Sequence, residues 1–389
     1  MHTIALTALL LASTPPAQPP TPAETVIAKA ITAMGGLERI HALHSIVYTG
    51  FHYEGSYKQE YAGSRTSNAT LTRMRPNRRL VGCRPEIPSC KGQWGRIIET
   101  FDGQHGWELN WPKQRLVSTV NKADRAIRCG AEFDYLFIAY KQRGFTAKYL
   151  GPTIILNTKT EALEVDQPNC PAITYYFQPG TYTLLMTGLT IPLHARGDAV
   201  STVSVVREFK TINGVRLPSR SEEVNLATGE VIGGGNWTSI EANTITNPAI
   251  FTAPEVHPTG ITAVTLHMLH DADTATPDAI MATYIAFRSS PEGHDADVVY
   301  DMNWLAYELL KVDKYAHAIA IFQRLIDENP TSAAAYENLG ETYLQQHDDP
   351  NAIAAFQHAL ALGLKSDDVL KKLGTLCAPQ SCEVVRNDM

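Results

Sequence analysis

The pattern of apolar and polar positions divides the chain into a long β-rich part and a helical C-terminal part. Residues 203–254 predict three successive strands, because apolar-rich segments alternate there with tight-turn residues. Asn213-Gly214 supplies the two positive φ angles that a type I′ hairpin requires, and Thr228-Gly229 separates the next pair of strands. The stretch therefore predicts the centre of an antiparallel sheet.

Helical spacing occurs at two places within the β-rich part. Residues 23–42 have apolar side chains at helical spacing, with an interruption at Gly35-Gly36. Residues 124–140 return to this spacing, with Phe133, Leu136, Phe137 and Tyr140 on one predicted face. Between them, Ser45 to Tyr53 is apolar on both faces, and such a strand needs cover on both sides. Residues 23–256 are therefore predicted to be α+β.

Apolar and small residues recur with a period of 34 residues in the C-terminal part. Leu305, Ala306, Leu309, Ala318, Phe322 and Leu325 recur as Leu339, Gly340, Tyr343, Ala352, Phe356 and Ala359. This pattern is typical of tetratricopeptide repeats, whose stacked helix pairs leave a concave face for a protein or peptide. We therefore expect an all-α tetratricopeptide module with a capping helix at 297–382. A linker with one helix is predicted at 257–296.

Composition and charge limit the classes of partner. The chain has 44% hydrophobic and 19% charged residues, which is ordinary for a globular protein. Its net charge is −7, and residues 297–376 hold 12 acidic residues against 6 basic ones. Phosphate binding needs a basic surface, so the composition argues against nucleic acid as a partner of that part.

The first 22 residues differ from the rest of the chain. An apolar run, Ile4 to Ala12, is too short to span a bilayer and is followed by a Pro-rich spacer. Residues 1–22 thus predict a signal peptide with its spacer, with a disordered cytoplasmic tail as the alternative. No transmembrane segment is predicted in the mature chain.

Six cysteines are present, and no Cys-x-x-Cys motif occurs. An even number in an exported chain favours disulfides over a metal site. Pairing of nearest neighbours predicts the bonds Cys83–Cys90, Cys129–Cys170 and Cys377–Cys382. Buried free thiols are the alternative.

Several segments, in their order along the chain, resemble one protein family. These are AITAMGGLERIHALHSIVYTG, ETFDGQHGW, AEFDYLFIAYKQRG, YYFQPGTYTLLM, INGVRLPSR and WTSIEANTITNPAIFTAP. Together they resemble the LolA-like periplasmic lipoprotein-carrier domains of bacteria. The resemblance implies a half-open antiparallel β-barrel whose helices plug an apolar cavity, and in the characterised carriers that cavity binds acyl chains.

Five apolar residues are candidates for the lining of this cavity: Val47, Phe51, Trp107, Phe133 and Leu136. The resemblance favours a cavity, since residues of these types are otherwise usual in a plain core. They are predicted to contact a lipid or another hydrophobic small molecule.

Basic residues cluster on two or three predicted strands: Arg65, Arg73, Arg75, Arg78, Arg79, Arg84, Lys91 and Arg96. Arg73, Arg75, Arg78 and Arg79 are the strongest candidates for contacting anionic lipid headgroups or an acidic partner. The alternative is a solvated outer face of the sheet.

The sequence predicts no catalytic residue, no metal site and no cofactor. It contains no Gly-x-Ser-x-Gly nucleophile motif and no Walker loop. The sequence therefore favours a periplasmic or secreted non-enzymatic protein that binds a hydrophobic ligand and docks a protein through its repeats. Two alternatives are an interaction adaptor with a filled barrel and an accessory subunit of a cell-envelope hydrolase.

Overall fold

The structure is a computed structural model that describes residues 19–54, 66–192 and 199–377. The predicted signal peptide falls mainly on residues outside these ranges, and so does Arg65 of the basic cluster. No described helix combines the length and apolarity needed to cross a membrane.

Thirteen strands in the described residues form one antiparallel sheet. They are β1 (Ser45–Glu54), β2 (Thr66–Met74), β3 (Arg78–Val81), β4 (Ile97–Phe101), β5 (Gly106–Asn110), β6 (Arg115–Ser118), β7 (Thr146–Ile155), β8 (Thr158–Asp166), β9 (Ile173–Phe177), β10 (Leu184–Pro192), β11 (Ala199–Ile212), β12 (Val215–Asn225) and β13 (Val231–Ala242). Their order is β6-β5-β4-β3-β2-β1-β13-β12-β11-β10-β9-β8-β7. The sheet is therefore open, with β6 and β7 at its edges, and the β1–β13 pair joins its two halves.

The predicted turn and helix break are both confirmed. Asn213 and Gly214 have φ angles of 49° and 79° and connect β11 to β12, as a type I′ hairpin requires. The first helix, α1, spans Pro22–Met34 and the short α2 spans Leu37–His41. Gly35 and Gly36, both with positive φ, separate them.

The sheet curls around α1. This helix contacts both β12 and β7, although four strands lie between those two in the sheet. Strands lie about 4.8 Å apart, so a flat sheet would hold β12 and β7 more than ~20 Å apart. A helix is only about 10 Å wide, and it reaches both strands because the sheet is curved.

Both faces of the sheet are covered, as the apolar pattern of β1 predicts. Ile46 packs on the concave face with α1, whereas the next residue, Val47, packs on the convex face. The convex core is covered by the loop from β3 to β4 and by a short 3₁₀ helix at Pro248–Phe251. Trp107 lies in this convex core and donates a hydrogen bond from Nε1 to the carbonyl oxygen of Phe251, at 2.9 Å.

The prediction of a helix across 124–140 is wrong beyond its first half. The helix α3 spans Asn121–Gly130, and residues 131–145, here called the plug segment, form consecutive turns. Tertiary contacts replace helical hydrogen bonds there, since the Phe133 N–H donates to Pro76 O and the Leu136 N–H donates to the Tyr175 hydroxyl. Side chains at helical spacing therefore fill the core without a helix.

Two of the three predicted disulfides are confirmed. Cys83 is bonded to Cys90, and Cys129 is bonded to Cys170. The second bond ties the end of α3 to the loop between β8 and β9. Cys382 of the third predicted pair lies outside the described residues.

The C-terminal region consists of helices. They are α4 (Gly260–Asp271), α5 (Pro277–Arg288), α6 (Val299–Lys311), α7 (Tyr315–Glu328), α8 (Ala333–Gln345), α9 (Asp349–Ala361) and α10 (Asp367–Leu376). The starts of α6 and α8 are 34 residues apart, from 299 to 333, and those of α7 and α9 are also 34 apart, from 315 to 349. Their assignment to the tetratricopeptide class stays a prediction.

Residues 257–296 contain two helices, where the sequence predicted a linker with one. Ile261 and Met268 of α4 and Tyr284 of α5 are buried in one core with α6 and α7. The apolar stripe of α4 is narrow, because two of its buried residues are Thr262 and Thr265. This composition concealed the helix from an argument based on apolar spacing.

A buried ion pair joins the sheet to the helical region. Arg115 of β6 donates from Nη1 to Asp301 Oδ1 of α6 at 3.1 Å, and Lys113 donates from Nζ to Oδ2 at 2.7 Å. The Asp301 side chain is 0% exposed and also accepts a hydrogen bond from Thr262. The negative charge of Asp301 is thus balanced by Arg115 and Lys113, which lie on the sheet side of the interface.

The close approach of α1 to the β11–β12 hairpin is testable at Gly35. A Cβ added there would lie 2.1 Å from the Gly214 carbonyl oxygen, whereas one at Gly36 meets nothing within 4 Å. Because both residues have positive φ, both alanine variants are strained. We expect Gly35→Ala to lower the free energy of unfolding by about 2 kcal/mol more than the control Gly36→Ala, measured by urea denaturation. Equal effects would contradict the close approach.

The interdomain ion pair gives a second prediction. Asp301→Ala leaves the Arg115 guanidinium, 2% exposed, without its carboxylate. We expect a loss of about 3–5 kcal/mol in the free energy of unfolding, because an uncompensated buried charge is costly. Asp295→Ala removes a side chain that is 96% exposed and serves as the control, with no measurable loss expected. Equal melting temperatures of the two variants in a thermal scan would refute this role of Asp301.

Candidate ligand cavity

The concave face of the sheet holds a half-open cavity of about 250 Å³. Its walls come from α1, α2, the plug segment and strands β1, β2, β9, β10 and β12. Most of the lining is apolar: Met34, Ile40, Leu43, Ile46, Phe133, Leu136, Ile138, Ile173, Leu189, Val215 and Leu217. The polar side chains are fewer: Tyr48, Arg73, Glu132, Asp134, Tyr135, Tyr175 and Thr187. A mostly apolar concavity with a few polar groups is the usual form of a small-molecule site.

Aromatic contacts hold the plug segment in place. The ring of Phe137 meets Tyr175 and Phe177 edge to face, with centroids 4.9 and 5.7 Å apart. Phe137 and Phe177 are fully buried, so these rings fix the floor beside the cavity.

The five predicted apolar contacts do not come together at one site. Phe133 and Leu136 line the cavity. Val47 and Trp107 belong to the convex core on the other side of the sheet, and Phe51 is 42% exposed. Alternation along β1 places Ile46 and Tyr48, rather than Val47, on the cavity side.

The four predicted arginines also separate. Arg73 alone lines the cavity; Arg78 donates to the backbone oxygen of Arg75 and lies at another surface hollow. Arg79 is paired with Glu99 at 2.6 Å, outside the cavity lining. They do not form one mouth for anionic headgroups.

Arg75 fastens the plug segment to the sheet. Its guanidinium makes a two-pronged ion pair with Asp134 and lies 4.5 Å above the Phe133 ring. It also donates to the carbonyl oxygens of Ile40 and Leu43 beside α2. Arg75 therefore has a structural role, which is to hold the plug segment and α2 together.

Both carboxylates in the cavity wall are paired with their own arginines. Asp134 is paired with Arg75, and Glu132 with Arg143 of the same plug segment. Neither carboxylate contacts Arg73 through an ion pair. The positive charge of Arg73 is thus unmatched by acidic groups among the described residues.

Three tyrosines place hydroxyl groups around the cavity. Burial raises the pKa of Tyr48, Tyr135 and Tyr175, so all three hydroxyls keep their protons at neutral pH. The Tyr175 hydroxyl accepts a hydrogen bond from the Leu136 N–H at 3.0 Å. The sequence does not predict any of the three as a ligand contact. Tyr48 could have been found, because it lies next to Val47 on a strand that is apolar on both faces.

A second cavity, of about 330 Å³, lies between the sheet and α6. Its walls carry Arg79, Glu99, Glu108, Glu308 and Lys311, and burial raises the pKa of Glu108. Arg79 is paired with Glu99, and Lys311 with Glu308. This charged lining does not suit an apolar ligand.

The plug segment is also tied to the start of α1. Glu24 and Thr21 form a capping box, in which the Glu24 N–H donates to Thr21 Oγ1 and the Thr21 N–H donates to Glu24 Oε2. Lys141 of the plug segment donates to the other carboxylate oxygen of Glu24. This hydrogen bond and the capping box lower the pKa of Glu24 to about 2.

The depressed pKa of Glu24 predicts a pH dependence. A carboxyl group with a lowered folded-state pKa adds stability above its unfolded value of 4.5 and loses it as pH falls toward 2. Glu24→Gln should therefore lower the melting temperature at pH 7, and this difference should shrink between pH 4.5 and 2.

Ser332→Ala is the control, because it removes the N-cap of α8, whose first turn carries no acidic residue. Its cost of about 1 kcal/mol should stay constant over the same range. A Glu24→Gln difference that does not change with pH would contradict the assignment.

Solved structures similar to this chain include a DUF1329 family protein from Desulfovibrio piger, with a TM-score of 0.40 and 8% identity. A putative outer membrane lipoprotein-sorting protein domain from Vibrio parahaemolyticus has a TM-score of 0.40 and 10% identity. A LolA superfamily protein from Nitrosomonas europaea has a TM-score of 0.39 and 12% identity. Each comparison covers 59% of this chain and 97% of the other chain. No protein-family model matches the chain, and no curated protein matches it.

Proposed function

We propose that this chain is a non-enzymatic binding protein of the cell envelope that holds a hydrophobic ligand in the concave cavity. The observation that carries the proposal is the cavity itself: about 250 Å³ of space, walled mainly by apolar side chains. A core filled by its own side chains would leave no such space, and this favours a carrier over an adaptor with a filled barrel.

The size of the cavity suits a short apolar chain. At roughly 30 Å³ for a group the size of a water molecule, 250 Å³ holds about eight such groups. Burial of eight methylene groups contributes about 6 kcal/mol, at ~0.8 kcal/mol each. Because the cost of association is of the same order, apolar contacts alone give weak binding.

The non-enzymatic part of the proposal rests on the chemistry of the cavity wall. Its carboxylates, Glu132 and Asp134, are held in ion pairs with Arg143 and Arg75. The sequence also lacks a Gly-x-Ser-x-Gly nucleophile motif.

Export to the periplasm or cell surface is supported by two features. The apolar run at Ile4 to Ala12 is typical of a signal peptide. The disulfides Cys83–Cys90 and Cys129–Cys170 suit an oxidising compartment.

The helical region is proposed to dock a protein partner. Its support is the 34-residue period, which the starts of α6 and α8 and those of α7 and α9 share with the sequence repeat. Helix pairs with this period form curved surfaces that bind peptides in repeat proteins.

Native mass spectrometry of the protein purified from its own host tests the cavity, with organic extraction to recover the bound molecule. We expect the wild-type chain to carry an apolar small molecule. Leu189→Trp fills the cavity wall and should remove most of it, whereas Leu150→Trp makes the same change at a β7 residue that is 45% exposed and should retain it. Wild-type protein that is always empty, or equal occupancy in the two variants, would contradict the proposed function.

A further inference from the structure

Arg73 is a cavity residue whose positive charge has no acidic partner among the described residues. It lies on β2, beside Ile46 of β1, and its guanidinium donates from Nη2 to the Gly130 carbonyl oxygen at 2.6 Å. Its Nε atom is buried and has no hydrogen-bond partner in the described residues. A guanidinium offers five N–H donors, so most of its donor capacity remains available.

The surrounding charges cannot supply a partner. The carboxylates of the cavity wall are each committed to another arginine. The residue opposite Arg73 on β3 is Arg79, a second positive charge, and Arg79 is itself paired with Glu99. Among the described residues, Arg73 is therefore left without an acidic partner at this part of the wall.

The Nε atom of Arg73 is buried although the residue as a whole is partly exposed, and burial of an unmatched charge is costly. The cost is visible in Arg73, whose pKa is lowered by burial. A guanidinium nevertheless stays protonated at neutral pH, so the free-energy cost of burying its charge is not removed by loss of the proton. A bound anion would remove it.

Two hydroxyl donors share the cavity with Arg73. Tyr48 and Tyr135 both line it, and within the described part of the chain neither hydroxyl makes a hydrogen bond. Arginine and tyrosine together are suited to an oxyanion, which accepts several charge-assisted hydrogen bonds.

We propose that the ligand carries an oxyanion head group, a carboxylate or a phosphate, which pairs with Arg73 while its apolar chain occupies the rest of the cavity. This inference rests on the proposed function and specifies the class of ligand. It also supplies the polar anchor that a short apolar chain needs for tight binding. The geometry assigns recognition of the head group to Arg73 alone among the four arginines predicted from the sequence.

Isothermal titration of the full chain with three probes tests the inference. Decanoate, decyl phosphate and decanol share one chain length, and only the first two carry an oxyanion. We expect the wild-type protein to bind at least one of the two anions about tenfold or more tightly than decanol, because a hydrogen bond to a charged group has roughly this value. The anion bound more tightly identifies the head group as carboxylate or phosphate.

Arg73→Met should abolish this preference and leave decanol binding within about twofold of wild type. Arg79→Met is the matched control: it removes a positive charge from the facing position of the neighbouring strand, outside the cavity lining, and should keep the preference. Arg73→Lys should keep part of it, because the charge remains but the planar fork is lost.

The outcomes separate the two proposals. Equal binding of anions and decanol by the wild-type protein would overturn the inference and leave the proposed function intact. The same holds if Arg73→Met keeps the preference. Failure of all three probes, and an empty protein in the mass-spectrometric experiment, would refute the proposed function itself. If Arg73→Met does not fold, the inference is still tested by the anion preference of the wild-type protein and by its partial loss in Arg73→Lys.

Discussion

The structure depends on the need to cover both faces of one curved sheet. In β1, Ile46 and Val47 are neighbours in sequence and belong to cores on opposite faces. The convex face is closed by the loop that carries Cys83–Cys90 and by the helix at Pro248–Phe251, whereas the concave face receives α1 and the plug segment. The concave cover combines α1 with the turns of the plug segment, and the cavity lies between this cover and the strands.

Sequence reasoning predicted the features that local chemistry determines. The Asn213-Gly214 hairpin and the break at Gly35-Gly36 follow from conformational preference. The two disulfides follow from the pairing of cysteines that are consecutive in the sequence. It failed where tertiary contacts outweigh local preference, as in the plug segment, whose apolar spacing resembles that of a helix. It also could not tell which apolar face of β1 meets the cavity, so it chose Val47 in place of Ile46 and Tyr48.

The basic cluster illustrates the same limit for the site. Four arginines close in sequence were predicted to share one role, and the structure gives them separate surroundings. Arg75 fastens the plug segment, Arg79 is paired across strands with Glu99, and Arg73 lies in the cavity wall. The distinction depends on which acids reach which arginines, and these acids come from distant parts of the chain. An unmatched charge can therefore be recognised only after the fold brings the acids into place.

The central claim is that an apolar chain occupies the concave cavity with its acidic head at Arg73. A crystal structure of the complex with hexanoate brominated at its last carbon, a chain short enough for the cavity of about 250 Å³, tests it most directly. Anomalous scattering locates the bromine without reference to the protein. The account predicts bromine among the apolar residues of the cavity wall and the carboxylate within hydrogen-bond distance of the Arg73 guanidinium. Bromine outside the cavity, or a carboxylate that does not contact Arg73, would contradict it.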